Sequence, residues 1–245
     1  MNLPITKTVE VSIDHQLLDG LKILHLSDLH INKNFKLSSI NELLVICKDL
    51  EYDFIVITGD IIDCKVKYIK EQLQLLNKLS LQRPVYYISG NHDIFYGLED
   101  LKKELSNFIL MDNKSTNINF KGNKINIVGI ADRFAKFFNI KRDEEKVLAF
   151  LKSSNPTIFL AHQPKDYKLA VLNKTELFVC GHTHGGQIFP FHYLVRLIQP
   201  FLNGLFYKEK TAIYVSRGLG TWGINFRYKA DSEITILKLI SKTVK

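Results

Sequence analysis

Cysteine is scarce in this chain: Cys47, Cys64 and Cys180 are odd in number and show no C-x-x-C spacing, which argues against a disulfide scaffold. Cys180 lies inside an apolar run that reads as buried strand, so reduced thiols are expected. Long hydrophobic runs are missing too. No stretch approaches the roughly 18–20 uncharged residues that a spanning helix needs, and Met1-Asn2-Leu3-Pro4 is not the basic and then apolar start of a secretory signal. These absences lead us to expect a cytoplasmic protein. Repeats, low-complexity tracts and Pro/Gly/Ser linkers are likewise lacking, so residues 1–245 read as a single domain.

What remains is ordinary globular composition: 245 residues, 46% hydrophobic and 24% charged, enough for one core. The net charge of +8 is mostly dispersed lysine. It leaves open both a solvated basic surface and an acidic partner. Short apolar, β-branched runs recur at 22–26, 53–58, 85–89, 125–130, 157–161, 177–180, 212–215 and 234–239. Helical spacing appears over 39–49 (Ile40, Leu43, Leu44, Cys47) and 67–79 (Ile69, Leu73, Leu76). Strand alternating with helix in the first half predicts a parallel sheet. From about residue 155 strands dominate, predicting a second sheet packed on the first. The expected class is α/β, two mixed β-sheets forming a sandwich with flanking helices.

Residues of the metal-binding kind cluster where those runs end. Asp28-Leu29-His30 follows the first, and Gly59-Asp60 closes the second. Gly90-Asn91-His92-Asp93 follows the third, while His162 and then Gly181-His182-Thr183-His184 follow two later ones. Strand ends are where an open α/β sheet assembles a site. Asp28 and His30, two apart in an extended chain, would point to one side and converge on one cation. The Asp60 carboxylate has two oxygens and can bridge two cations, Asn91 offers a neutral oxygen, and His92 can titrate near neutrality. Each motif alone has a structural explanation, since Gly-Asp is often a turn and a buried histidine is often a core group. Together they use five of the eight histidines, leaving His15, His25 and His192 outside.

At these residues the sequence closely resembles the calcineurin-like metallophosphoesterase family, whose motif order is D-x-H, G-D, G-N-H-D/E, a later H, then G-H-x-H. The match spans Asp28 to His184. Gly185-Gly186-Gln187 and Tyr214-Val215-Ser216-Arg217-Gly218-Leu219-Gly220 are similar to its bacterial phosphodiesterase branch. The resemblance implies a four-layer αββα fold with two divalent metals at the strand ends. Asp28, His30, Asp60 and His184 would hold one metal, and Asp60, Asn91, His162 and His182 the other. His92 would contact the phosphoryl group or protonate the leaving oxygen. Two cations about 3.5–4 Å apart can activate a bridging hydroxide for in-line attack, and the mixed N/O donors suit Mn, Fe, Zn or Co better than Mg.

Substrate identity must come from other segments. An apolar insertion at 187–208, broken by Pro190 and Pro200, and the aromatic, basic run Arg133-Phe134-Ala135-Lys136-Phe137-Phe138 with Lys141 and Arg142 both follow strand ends. They read either as packed lid or core, or as a rim touching an acyl chain or an anionic membrane surface through Phe189, Phe191, Leu194, Phe201 and Leu205. A phosphodiesterase is the first expectation. A membrane-surface pyrophosphatase on a lipid such as UDP-2,3-diacylglucosamine is the alternative that the family resemblance suggests. A nucleic-acid substrate is not expected without a basic track, and a metal-free binding scaffold would require lost ligands.

Overall fold

β2 (Lys22–Leu26), β3 (Phe54–Thr58) and β4 (Val85–Ile88) are apolar almost without interruption because both faces of their sheet are covered. In this computed structural model, which describes residues 4–242, β1 (Ile5–Ile13) precedes them and β5 (Ile109–Leu110) and β12 (Glu233–Ser241) complete a sheet of order β1-β12-β2-β3-β4-β5. The second sheet contains β6 (Lys114–Phe120), β7 (Asn123–Gly129), β8 (Thr157–Leu160), β9 (Leu177–Cys180), β10 (Gly204–Lys208) and β11 (Thr211–Val215), in order β10-β11-β9-β8-β7-β6. β2, β3, β4 and β5 run parallel, as do β7, β8, β9 and β11, while β12 is antiparallel to β2 and both sheets are mixed.

Successive residues of each strand point to opposite layers. Ile23, Val56 and Tyr86 meet Ile127, Ile158, Leu177 and Tyr214 between the sheets. Leu24, Ile55 and Ile57 face outward against α1 (Leu37–Asp49) and α2 (Lys70–Leu76). Phe159, Phe178 and Ile213 face the opposite outer layer, covered by α4 (Glu144–Leu151) and α5 (Tyr167–Leu172). α3 (Asn91–Glu104) begins directly after β4, and α6 (His192–Ile198) follows β9. The αββα sandwich expected from sequence is therefore present. Among the described residues no helix is long and apolar enough to cross a membrane.

Three local expectations are corrected. The second sheet begins at β6, well before residue 155, and β12 returns to the first sheet, where it lies between β1 and β2. The helix expected over 67–79 is α2 flanked by single 3-10 turns at Val66–Tyr68 and Asn77–Leu81. The 187–208 segment is neither wholly rim nor wholly core. Phe201 is only 9% exposed and packs on Tyr167 and Phe206, while Leu205 is partly buried against the inter-sheet core. Phe189, Phe191 and Leu194 are exposed.

Candidate metal centre

The C-terminal ends of β2, β3, β4, β8 and β9 bring the sequence motifs to one place. Backbone bonds continue the pairing past the strands: Asp28 N–H donates to Gly59 O (3.0 Å), His30 N–H to Asp60 O (3.0 Å) and Gly181 N–H to His162 O (3.0 Å). Gly59 permits one close approach between these loops. Its φ is +89°, and a Cβ there would sit 2.6 Å from Gly90 N and 2.7 Å from His162 Nδ1.

Asp28 and His30 do converge, but not from an extended chain. Both have positive φ (51° and 48°), as do Asp60 (51°), His182 (72°) and His184 (51°). Left-handed backbone at five non-glycine residues of one site is costly, and it is the kind of strain that concentrates where function requires it.

Two donor clusters share Asp60. In the first, His30 Nε2 lies 3.0 Å from His184 Nε2, His184 Nε2 lies 3.7 Å from Asp28 Oδ1, and His30 Nε2 lies 3.7 Å from Asp60 Oδ2. In the second, His162 Nε2 lies 3.2 Å from Asp60 Oδ2, 3.1 Å from Asn91 Oδ1 and 3.1 Å from His182 Nδ1. Asp60 Oδ1 accepts from His92 N–H (2.8 Å), which leaves Oδ2 facing both clusters.

The chemistry of this donor set fits cations. His162 Nδ1–H donates to the Thr58 carbonyl (2.7 Å), so Nε2 of the neutral ring is a lone pair. It meets a carboxylate oxygen, an amide oxygen and a second imidazole, and only a proton or a cation between them relieves the repulsion. Asp28 is fixed by Ser27 Oγ–H (2.7 Å) and by the His182 N–H (3.1 Å to each oxygen). Asp28-His30-His184 and Asp60-His162-His182 each bring three candidate ligand atoms within 4.8 Å of one another.

The electrostatics pull the groups apart, as functional sites do. Burial raises the Asp28 carboxyl above its ordinary value. Burial also pushes Asp60 upward, but His162, with His30 and His92, outweighs it and holds the carboxyl far below the usual range. For His162 burial favours the neutral ring, yet Asp60 reverses this and raises its pKa well above normal. Burial, reinforced by His162, lowers His182 to about 3. Burial, with His30 and Arg227, depresses His184.

His92 stands beside these clusters at the mouth of the site, with Nδ1 2.7 Å from Asp63 Oδ1. Burial disfavours its charge, but the Asp63 bond and the Asp60 carboxylate prevail and raise its pKa. Sequence reasoning missed Asp63. The available signal was its place three residues after Asp60, in the same loop after β3. Asp93, noted only as part of a motif, accepts from Gly90, Ile61 and Ile62 N–H at 2.8–3.0 Å and so ties the loop after β3 to the start of α3. Arg227 was also missed. Its guanidinium binds the carbonyls of Arg217, Gly220 and Ala230 and lies 3.1 Å from His184 Nδ1, so it holds the 217–230 loop against that ring. Nothing in the spacing of Arg227 marks it.

The model of the calcineurin-like phosphoesterases matches residues 21–186, and the chain belongs to that family. It carries the fold of that family. An uncharacterised metallophosphoesterase of Helicobacter pylori is 36% identical over 244 residues, covering 98% of this chain and 65% of its own length. The uncharacterised metallophosphoesterase YkoQ of Bacillus subtilis is 31% identical over 258 residues, covering 96% and 90%. This chain thus spans just under two thirds of the Helicobacter relative. Among solved structures, a putative 5'-nucleotidase of Staphylococcus aureus superposes with a TM-score of 0.57 at 12% identity, covering 93% of this chain and 56% of that one, a likeness of fold.

Proposed function

We propose that this chain hydrolyses phosphodiesters at a dinuclear metal centre. The observation that carries the reading is Asp60, with one oxygen held by the His92 N–H and the other between His30 and His162. Asp28, His30, Asp60 and His184 would hold one cation, and Asp60, Asn91, His162 and His182 the other. Two cations of the Mn, Fe, Zn or Co kind would neutralise the phosphoryl oxygens and lower the pKa of the attacking water toward neutrality.

The remaining work falls to the chain itself. The Thr58 carbonyl keeps the His162 proton on Nδ1, and Ser27 keeps Asp28 aimed at the cluster. Asp63 accepts the Nδ1 proton of His92 and favours the imidazolium. The Nε2–H is then the proton that passes to the leaving oxygen, a contribution of roughly 10²–10⁴ in rate. Purified chain should contain about two transition-metal ions, as a two-metal centre requires. It should cleave bis(p-nitrophenyl) phosphate faster than p-nitrophenyl phosphate, losing both activities on chelation. One ion per chain with full activity, or hydrolysis that resists chelation, would overturn the dinuclear reading.

A further inference from the structure

The cleft that opens over the donor clusters is larger and more apolar than a phosphate needs. It encloses about 560 Å³ and continues from His30, Asp60, Asn91, His92, His182 and His184 to a wall of α6 and the 222–224 turn. We infer that the phosphoester taken by this site carries a long aliphatic chain, which lies between α6 and that turn. This rests on the phosphoesterase reading for its headgroup and on the wall for its tail.

The wall offers a polar substrate very little. Among the described residues, and apart from the site's own, no Asp, Glu, Lys or Arg lines the cleft. Gln187, the polar side chain best placed to read a sugar or base, is already used. Its Nε2–H₂ donates to Trp222 O (2.9 Å) and Ile224 O (3.1 Å), and its Oε1 accepts from Trp222 N–H (2.7 Å). Thr183 Oγ is bound to the Leu202 carbonyl. Gln199 Oε1 is buried without a partner, but one acceptor does not recognise a polyol or a base.

What the wall does offer is apolar surface without a partner. Leu194 and Ile198 of α6 face the cleft opposite Trp222 and Ile224, which are 60% and 66% exposed. Isolated exposed apolar side chains are normal, but a run of them on both walls of one cleft marks a binding surface. Charge points the same way. Residues 177–230 contain Arg196, Lys208, Lys210, Arg217, Arg227 and Lys229 against one acid, Glu209, and Lys229 Nζ lies 4.8 Å over the Phe189 ring. An apolar channel leading to a site for cations, in segments where bases outnumber acids, complements an anionic amphiphile.

Trp222 is the only tryptophan in the sequence, so its fluorescence reports on the wall without any turnover. Butyl, hexyl, octyl and decyl phosphate, each below its critical micelle concentration, would be titrated into metal-loaded chain, with inorganic phosphate as the tailless reference. The emission should shift to the blue for the longer esters, and Kd should fall roughly three- to fourfold per methylene, as expected for a buried CH₂. In the Leu194→Ser/Ile224→Ser double variant the length dependence should flatten while phosphate affinity stays. A Kd independent of length in the wild type would overturn the inference, as would a length dependence that survives the double variant. A response confined to anionic phospholipid vesicles would overturn it in favour of surface docking. Hydrolysis of bis(p-nitrophenyl) phosphate is measured in parallel: tail binding without hydrolysis refutes the phosphodiesterase reading alone, and hydrolysis without tail binding refutes this one alone.

Discussion

Replacing Asp63 by Asn isolates the charge behind His92. Asparagine keeps the shape and an acceptor oxygen within reach of His92 Nδ1, 2.7 Å away in the native chain, but removes the negative charge. A hydrogen bond to an ionised partner is worth about 1.5–3 kcal/mol and a neutral one about 0.5–1.5 kcal/mol, so the charge contributes about 1–1.5 kcal/mol to the imidazolium. That is about one pKa unit. The sign follows from the role: Asp63 raises the His92 pKa, and the acid must be protonated, so removing the charge moves the alkaline limb of the pH–rate profile about one unit lower. The assay is kcat against pH for a methyl aryl diester with a basic leaving phenol. A diester with an activated nitrophenolate, which needs no acid, is the control and should show little change. Asp63 also lies 3.9 Å from His30 Nδ1, so metal content must be measured on the same preparation. An unmoved limb at full metal content, or equal losses for both leaving groups, refutes the coupling of Asp63 to a proton-donating His92.

Asp60→Ala should abolish activity and lower occupancy at both metal positions; elemental analysis showing one ion fully retained would contradict a bridging carboxylate. His92→Ala should keep both ions while turnover of poor leaving groups falls by roughly 10²–10⁴, and a comparison across leaving groups checks this. Phe201→Ala should cost about 3–5 kcal/mol in urea unfolding because Phe201 is packed between Tyr167 and Phe206, whereas Leu197→Ser, at 83% exposure, should stay within about 0.5 kcal/mol of wild type. Gly59→Ala should destabilise by more than about 1 kcal/mol, since neither its positive φ nor the Gly90 backbone can give way.

The parts of this molecule that were legible are those where one residue property answers one requirement. β3 and β9 are buried on both faces, so their apolar runs stand out, and each ligand candidate follows such a run directly. The half-exposed β1 carries Val9, Val11 and Ile13 in strict alternation, a signal present but weaker than a continuous run. β6, with Lys114, Asn117 and Asn119, has little apolar pattern because it closes the edge of its sheet. The destination of β12 was not readable at all, since nothing local in 234–239 distinguishes a strand that continues the second sheet from one that returns to the first. The same limit applies to the site. Asp28 and His30 were identified by type and spacing, but their left-handed backbone depends on contacts with loops some thirty residues away. The 187–208 segment divided between core and surface because Phe201 finds Tyr167 across the fold, a pairing that periodicity cannot supply.

Five ligand candidates held at positive φ set the apparent mutability of this protein. Glycine adopts that conformation freely, and Asn or Asp more readily than β-branched residues, so His30→Gly or His184→Gly would relieve backbone strain as it deletes a ligand. Such inactive variants can melt higher than the native chain when metal is withheld. A thermal-stability screen run without metal would then favour loss of function at the very positions that matter most. Selection for a more robust form of this chain therefore has to be made with metal and turnover as part of the readout.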